Sequence, residues 1–111
     1  MLFGCGGNRD KIKRPQIAKI VSKYTNLQII TDDNPRNEDP ASIRKSLIKY
    51  SSNPIEVPSR RKAIKFGINY IKKNDGILII AGKGHEDTQN YKDKHYLFND
   101  RMISSNYAKN L

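Results

Sequence analysis

The sequence has a single cysteine, Cys5, and no tryptophan. One cysteine excludes an intrachain disulfide and any zinc site built from several thiolates, and it suits a reducing compartment. Long apolar runs are also missing. The longest, Gly76-Ile77-Leu78-Ile79-Ile80-Ala81, is far short of the roughly 20 residues that cross a bilayer. The N-terminus lacks the basic segment and apolar core of a secretion signal. A cytoplasmic protein without membrane contact is expected. Internal repeats, low-complexity segments and linkers are absent, and 111 residues make one domain.

Acidic residues are the scarce charge: 11 Asp+Glu stand against 21 Lys+Arg, for a net charge of +10. Such a balance raises an anionic partner such as nucleic acid, a phosphorylated substrate or a membrane surface. Lys, Asn and Ile are abundant, however, which is the bias an A+T-rich genome produces, and the lysines are dispersed. Several of the six tyrosines fall on apolar helical positions, and no RNA- or DNA-binding motif occurs, so a basic nucleic-acid-binding module is the weakest reading.

What is present is an alternation of strand and helix signals. Met1 to Gly4 reads as a short apolar strand entering the loop GCGGNRDKIKR, and Pro15 suits the first turn of a helix whose apolar stripe is Ile17, Ile20, Val21 and Tyr24. Leu27 to Thr31 is a β-branched strand followed by the loop TDDNPRNEDP. Asp39 caps a second helix with Pro40 at its first position and Ile43, Leu47 and Tyr50 inside. Ile55 to Val57 is a weak strand. Ser59 then caps a third helix marked by Ile64, Ile68 and Ile71, with Lys72 and Lys73 near its C-terminus. Residues 76–81, continuously apolar, predict a central strand covered on both faces. A short strand at Tyr96 to Phe98 and a helix through Met102, Ile103 and Tyr107 complete the series.

This order predicts an α/β fold: a Rossmann-like three-layer α/β/α sandwich with a mainly parallel sheet in a single domain. Ligands of such folds bind beyond the carboxyl ends of the strands. GCGGNRDK, TDDNPR and GKGHED each follow a strand at that end.

Individually the loops are ambiguous. Gly4-Cys5-Gly6 lacks the third glycine of a dinucleotide fingerprint, and neither glycine loop carries the Lys-Ser/Thr of a P-loop. In TDDNPR, Pro35 stiffens the turn, Asp33 and Asn34 can bond backbone or an ammonium, and Arg36 can grip a carboxylate bidentately. The same residues also suit a strand-ending turn with a solvated arginine. In GKGHED the glycines allow close backbone approach and the acids can bind a cation. His85 lacks a recognised metal-ligand spacing with Glu86 and His95, and lacks an orienting partner as a base for Cys5. A local hydrogen bond for His85 and a small buried role for Cys5 are the readings favoured.

Together and in order, FGCGGNRDKIKRP, TDDNPRNEDP, AGKGHEDTQ and a late FNDR resemble the C-terminal domain of the Mur ligases, in the branch whose DNPR sequence accompanies addition of meso-2,6-diaminopimelate. The resemblance covers nearly the whole chain. It implies an ATP-dependent amide ligase of peptidoglycan synthesis, serving cell-wall growth, shape and division. In that reaction the γ-carboxylate of UDP-N-acetylmuramoyl-L-alanyl-D-glutamate is phosphorylated and the diaminopimelate amine displaces phosphate. By motif, Arg9, Asp33, Asn34, Arg36, Gly82 and Glu86 would bind diaminopimelate, Arg36 would set the preference over lysine, and Asp10, Lys13 and Arg14 could face the nucleotide. No metal ligand and no catalytic residue are assigned here.

The resemblance implies that residues 1–111 form an N-terminally truncated amino-acid-binding domain. The UDP-binding domain and the central domain that holds most of the ATP and Mg2+ would be missing. Alone, the chain is expected to be inactive, and it would need the remaining ligase domains in trans to meet UDP-N-acetylmuramoyl-dipeptide. A non-catalytic remnant that binds a ligand or partner is the alternative.

Overall fold

Two apolar pairs, Leu2-Phe3 and Ile29-Ile30, set the layering of the chain. Successive strand residues point to opposite faces, so each pair supplies one side chain to either side of the sheet. The computed structural model describes residues 1–110. In it β1 (Leu2–Phe3), β2 (Gln28–Ile30) and β3 (Pro54–Glu56) form a parallel sheet in the order β1-β2-β3. Leu2 stands beside Ile29, and Ile29 beside Ile55.

Leu2, Leu27 and Ile29 pack with Ala63, Ile64 and Ile68 of α3 (Arg60–Asn74), and Ile103 and Tyr107 of α4 (Asp100–Lys109) join them. Phe3 and Ile30 pack on the other face with Ala18 and Val21 of α1 (Lys13–Tyr24) and Leu47 of α2 (Pro40–Ile48). The expected three-layer Rossmann-like sandwich is therefore present. The Asp39 carboxylate accepts from Ala41 N at 3.3 Å and Pro40 is the first helical residue. Ser59 likewise accepts from Lys62 N at 3.3 Å, so both caps read from the sequence are in place.

The structure corrects three expectations. Residues 76–81 lie at the edge of the sheet rather than its centre. Leu2 N donates to Ile79 O at 2.8 Å and Ala81 N donates to Leu2 O at 3.0 Å, a single parallel bridge of Leu2 to Ile80. The backbone groups of Leu78 and Ile80 face away from β1, and among the described residues they have no backbone partner. Leu78 and Ile80 pack on the α3 side, whereas Ile77 is 89% and Ile79 51% exposed. The run has the composition of a doubly covered strand, but residues 1–110 cover only one of its faces.

In α1 the inward stripe is Arg14, Ala18 and Val21. Those positions are spaced i, i+4, i+7, and the alternative stripe through Ile17, Ile20 and Tyr24 is left facing outward. The last expected strand belongs to a separate antiparallel hairpin, β4 (Thr88–Tyr91) with β5 (Lys94–Leu97). The polar segment TQNY of β4 has no apolar alternation to announce it.

Arg60, at the start of α3, is 1% exposed. Its Nε and Nη2 donate to the Asp100 carboxylate at 2.8 and 2.7 Å. The remaining donors reach the carbonyls of Asp32 at 3.3 Å and Ala81 at 2.9 Å. One guanidinium thus ties the first turns of α3 and α4 to the roots of the TDDNPR and GKGHED loops. Removing one partner of a buried pair leaves an uncompensated charge, a loss of about 3 kcal/mol or more. Asp100→Ala is therefore expected to lower the free energy of urea unfolding by at least about 3 kcal/mol. The joint replacement Arg60→Met with Asp100→Leu should lose less; an equal or larger loss would contradict the pairing account.

Candidate functional site

The three loops meet through backbone contacts that demand glycine. Gly7 N donates to Asn34 O at 2.7 Å, and a Cβ on Gly7 would lie 1.7 Å from Pro35 O. Gly82 has φ +109°, and a Cβ there would sit 2.6 Å from Asp33 Oδ2. The first loop is thus packed on the prolyl turn, and the third admits the Asp33 carboxylate against its backbone.

The hairpin locks the central loop from the other side. Arg36 N donates to Asn90 O at 3.0 Å and Lys92 N to Arg36 O at 2.7 Å, which holds Arg36 at φ +53°. Buried Gln89 donates to the carbonyls of Asp32 at 3.2 Å and Asp33 at 2.9 Å. Beneath the loop, the Tyr91 hydroxyl donates to Asp32 Oδ2 at 2.7 Å. Burial, then this bond to an anion, push the Tyr91 phenol far above its ordinary range. Arg44 bridges Asp32 and Glu56. Desolvation opposes its charge, but the bonds to Glu56 and Asp32 outweigh it and raise its pKa.

Lys83 occupies the centre of the cluster, its side chain fully enclosed. Its Nζ donates to Asn34 Oδ1 at 2.7 Å and to Thr88 O at 2.8 Å. The Asp33 and Glu86 carboxylates lie 3.5 and 3.6 Å from the same ammonium. Asn34 Nδ2 donates to Glu86 Oε1 at 3.4 Å. Asp33 and Asn34 are buried, while the Glu86 side chain is half exposed. Asp33, Asn34, Gly82 and Glu86, drawn from two loops, are therefore contiguous.

The arginines lie along the neighbouring edge of this cluster. Arg36 Nη1 donates to Gly7 O at 3.0 Å; among the described residues no hydrogen bond uses its Nε or Nη2. The guanidinium of Arg36 and the stem of exposed Arg9 both border Gly6, 2.7 and 3.5 Å from where its Cβ would stand. Arg36 also lines a cleft of about 500 Å³ with Glu38, Pro40, Tyr91 and Tyr96.

The three residues expected to face a nucleotide are placed differently from one another. Lys13 is exposed at the start of α1. Asp10 accepts from Ile12 N at 2.9 Å and shapes the turn before that helix. Arg14 is buried, paired in two bonds of 3.0 Å with Glu38 and bonded to Gly6 O at 3.0 Å. A guanidinium enclosed and occupied in this way does not present itself to a phosphate. Burial raises the Cys5 thiol pKa, partly offset by Arg14, which disfavours the thiolate a nucleophile needs. Among the described residues no group of three His, Cys, Asp or Glu side chains could hold a metal, and no helix is long and apolar enough to cross a membrane.

Lys83, Gln89 and the hairpin backbone escaped the sequence reading. Lys83 stands between two glycines directly after an apolar run, but no Ser or Thr follows it as in a P-loop and nothing local marks it as buried. For Gln89 no local signal exists, because its partners are carbonyls distant in sequence.

A family model described as "Mur ligase, glutamate ligase domain" matches residues 1–84. A UDP-N-acetylmuramoyl-L-alanyl-D-glutamate--2,6-diaminopimelate ligase of Anaplasma marginale is 46% identical over 100 residues, covering 90% of this chain and 21% of the relative. A protein of the same name from Rickettsia bellii is 49% identical over 107 residues, covering 95% of this chain and 22% of the relative. A solved structure titled for such a ligase matches with a TM-score of 0.84 at 34% identity, over 98% of this chain and 23% of its own. The chain spans about a fifth of the length of the curated relatives it matches.

The Arg14–Glu38 pair generates a pH dependence. The hydrogen bond from Arg14, with smaller help from Asn8 N and Lys11, holds the Glu38 carboxyl below the usual range against the opposing effect of burial. The unfolded chain then takes up this proton more readily, so the stabilisation is present above the ordinary carboxylate range near pH 4.3 and is lost as pH falls through the lower folded value. Glu38→Gln should therefore be less stable than the parent at neutral pH and converge with it in thermal melts run from about pH 5 down to about pH 3. A gap between the two that stays constant across this range would refute the assignment.

Proposed function

The chain belongs to the Mur ligase family, and from that footing we propose that it is the amino-acid-binding domain of a ligase adding meso-2,6-diaminopimelate to UDP-N-acetylmuramoyl-L-alanyl-D-glutamate. The observation that carries this reading is the mixed-charge cluster at the carboxyl ends of the strands. Asp33, Asn34 and Glu86 meet around Lys83, with Gly82 against Asp33 and with Arg36 and Arg9 alongside. Diaminopimelate has two ammonium and two carboxylate groups, and selecting it requires both signs of charge at fixed positions. Carboxylates with one shared lysine suit an ammonium, and the unbonded edge of Arg36 suits a carboxylate. The names of the relatives in Anaplasma and Rickettsia support the same substrate.

Discrimination from lysine follows from Arg36. Lysine lacks the distal carboxylate, so binding it would cover a guanidinium without supplying its partner, a heavy cost in a desolvated pocket. Pro35 and the glycine contacts fix the loop that carries Arg36, which limits its ability to relax around the smaller ligand.

Two cations of this rim are occupied within the protein and not turned to a nucleotide. Lys83 is turned inward to Asn34 and Thr88, and Arg14 is enclosed with Glu38. We therefore assign to this chain the holding and orientation of the incoming amino acid. Activation of the acyl group by ATP and Mg2+ is left to the rest of a ligase of this family, acting in the cytoplasm on a UDP-linked peptidoglycan precursor.

Calorimetric titration of the chain with meso-diaminopimelate and with L-lysine tests the proposal. The expected result is a preference for diaminopimelate of at least about tenfold, the equivalent of one charge-assisted interaction. Arg36→Ala should abolish that preference. Equal affinity of the parent chain for the two amino acids would refute the specificity, and no binding of either would refute the assignment of the pocket to this chain.

A further inference from the structure

Asn34 has one side-chain orientation that satisfies its surroundings. Its Oδ1 accepts from Lys83 Nζ at 2.7 Å and from Asn90 N at 3.0 Å. Rotating the amide by half a turn would set its NH2 group against two donors and leave both without an acceptor. With the oxygen held inward, Nδ2 is aimed at Glu86, where the contact is long, 3.4 Å, and the carboxylate half exposed. Among the described residues Lys83 is also the one cation within 4 Å of both Asp33 and Glu86, so this pair of acids and the lysine carry a single net negative charge.

We propose that Lys83 is a positioning residue that fixes the polarity of the pocket. It turns the Asn34 amide so that its NH2 group serves a ligand carboxylate, and it cancels one of the two acidic charges so that one ligand ammonium is accommodated beside Glu86. This inference rests on the amino-acid-binding role proposed above. Lys83 itself is enclosed and touches no ligand; it acts through Asn34 and through the charge balance. Thr88 O, which takes its second hydrogen bond, anchors the ammonium to the start of the hairpin, so the polarity is set only when the loop after residue 81 and the hairpin are docked on the TDDNPR loop.

Replacing Lys83 by methionine keeps an unbranched apolar stem, one atom shorter, and removes the charge and the donors. The Asn34 amide then keeps only the Asn90 N–H to hold its oxygen inward, and the acids carry two uncompensated charges. In NMR titrations of the 15N-labelled chain, Lys83→Met is expected to weaken meso-diaminopimelate binding about tenfold or more, on the scale of losing a buried charged partner. L-Lysine binding should weaken less, so that the preference between the two falls. A merely structural residue would weaken both alike.

Because part of the effect of Lys83 passes through Asn34, the double variant Lys83→Met/Asn34→Ala should lose less preference than the sum of the two single variants. A folded Lys83→Met chain with its preference intact, or losses that add in the double variant, would overturn the proposal. If Lys83→Met does not fold, the parent chain carries the test. The side-chain NH2 resonances of Asn34 should shift more with meso-diaminopimelate than with 1,5-diaminopentane, whose amines can reach Glu86 but which has no carboxylate to accept from the amide. Equal shifts with both would overturn the polarity. A parent chain that binds neither amino acid would instead remove the functional reading on which the inference stands.

Discussion

The buried Arg60–Asp100 pair is the constraint on which the arrangement of the rim depends. An isolated guanidinium at 1% exposure would be untenable, and its donors are taken up by one carboxylate and by the carbonyls of Asp32 and Ala81. The carbonyls are the last points at which the two functional loops still belong to the scaffold. Their separation is therefore set by a rigid planar group and not by apolar packing, which tolerates sliding. Asp100 opens α4 and Arg60 opens α3, so the same interaction fixes the side of the sheet away from α1 and α2. The packing of two helices and the spacing of two loops thus share one origin.

Above that node the site is built in polar layers. Asp32, Tyr91, Arg44 and Glu56 form a lower tier in which each charge is answered within the protein. Lys83, Asn34 and Asp33 form an upper tier whose acceptors are only partly satisfied, with Glu86 and Arg36 at its margin. The lower tier holds the shape, and the upper tier keeps exchangeable hydrogen-bonding capacity. Adjacent residues of one loop, Asp32 and Asp33, belong to different tiers: Asp32 meets Tyr91 and Arg44, whereas Asp33 lies against Lys83 and Gly82.

Much of this was legible in the sequence where the cause was local. Asp39 before Pro40, Ser59 before a basic helix, and the short strands within Met1 to Gly4 and Leu27 to Thr31 all depend on neighbouring residues, and each is found as read. The misreadings have a common origin in distance. The stripe of α1 could not be assigned to Arg14 without knowing that Glu38, 24 residues away, would meet it. The polar strand β4 exists because Asn90 and Gln89 pair with the Asp32–Arg36 loop, which no periodicity within TQNY encodes. Of the site, the residue types of Asp33, Asn34, Arg36 and Glu86 were readable by motif. The lysine that organises them was not, since its role is defined by what surrounds it.

The exposed edge formed by residues 77–80 has a colloidal consequence. The backbone groups of Leu78 and Ile80, unpaired among the described residues and flanked by exposed Ile77 and Ile79, form an edge on which another extended segment can pair. The surface that bears it also belongs to a chain of net charge +10, and like-charged molecules are held apart over about one Debye length, roughly 8 Å at physiological ionic strength. The lysine-rich composition thereby acts as a barrier to association as well as an attraction for anions. Added salt lowers that barrier and leaves the edge unchanged, so association of the isolated chain is expected to increase with ionic strength.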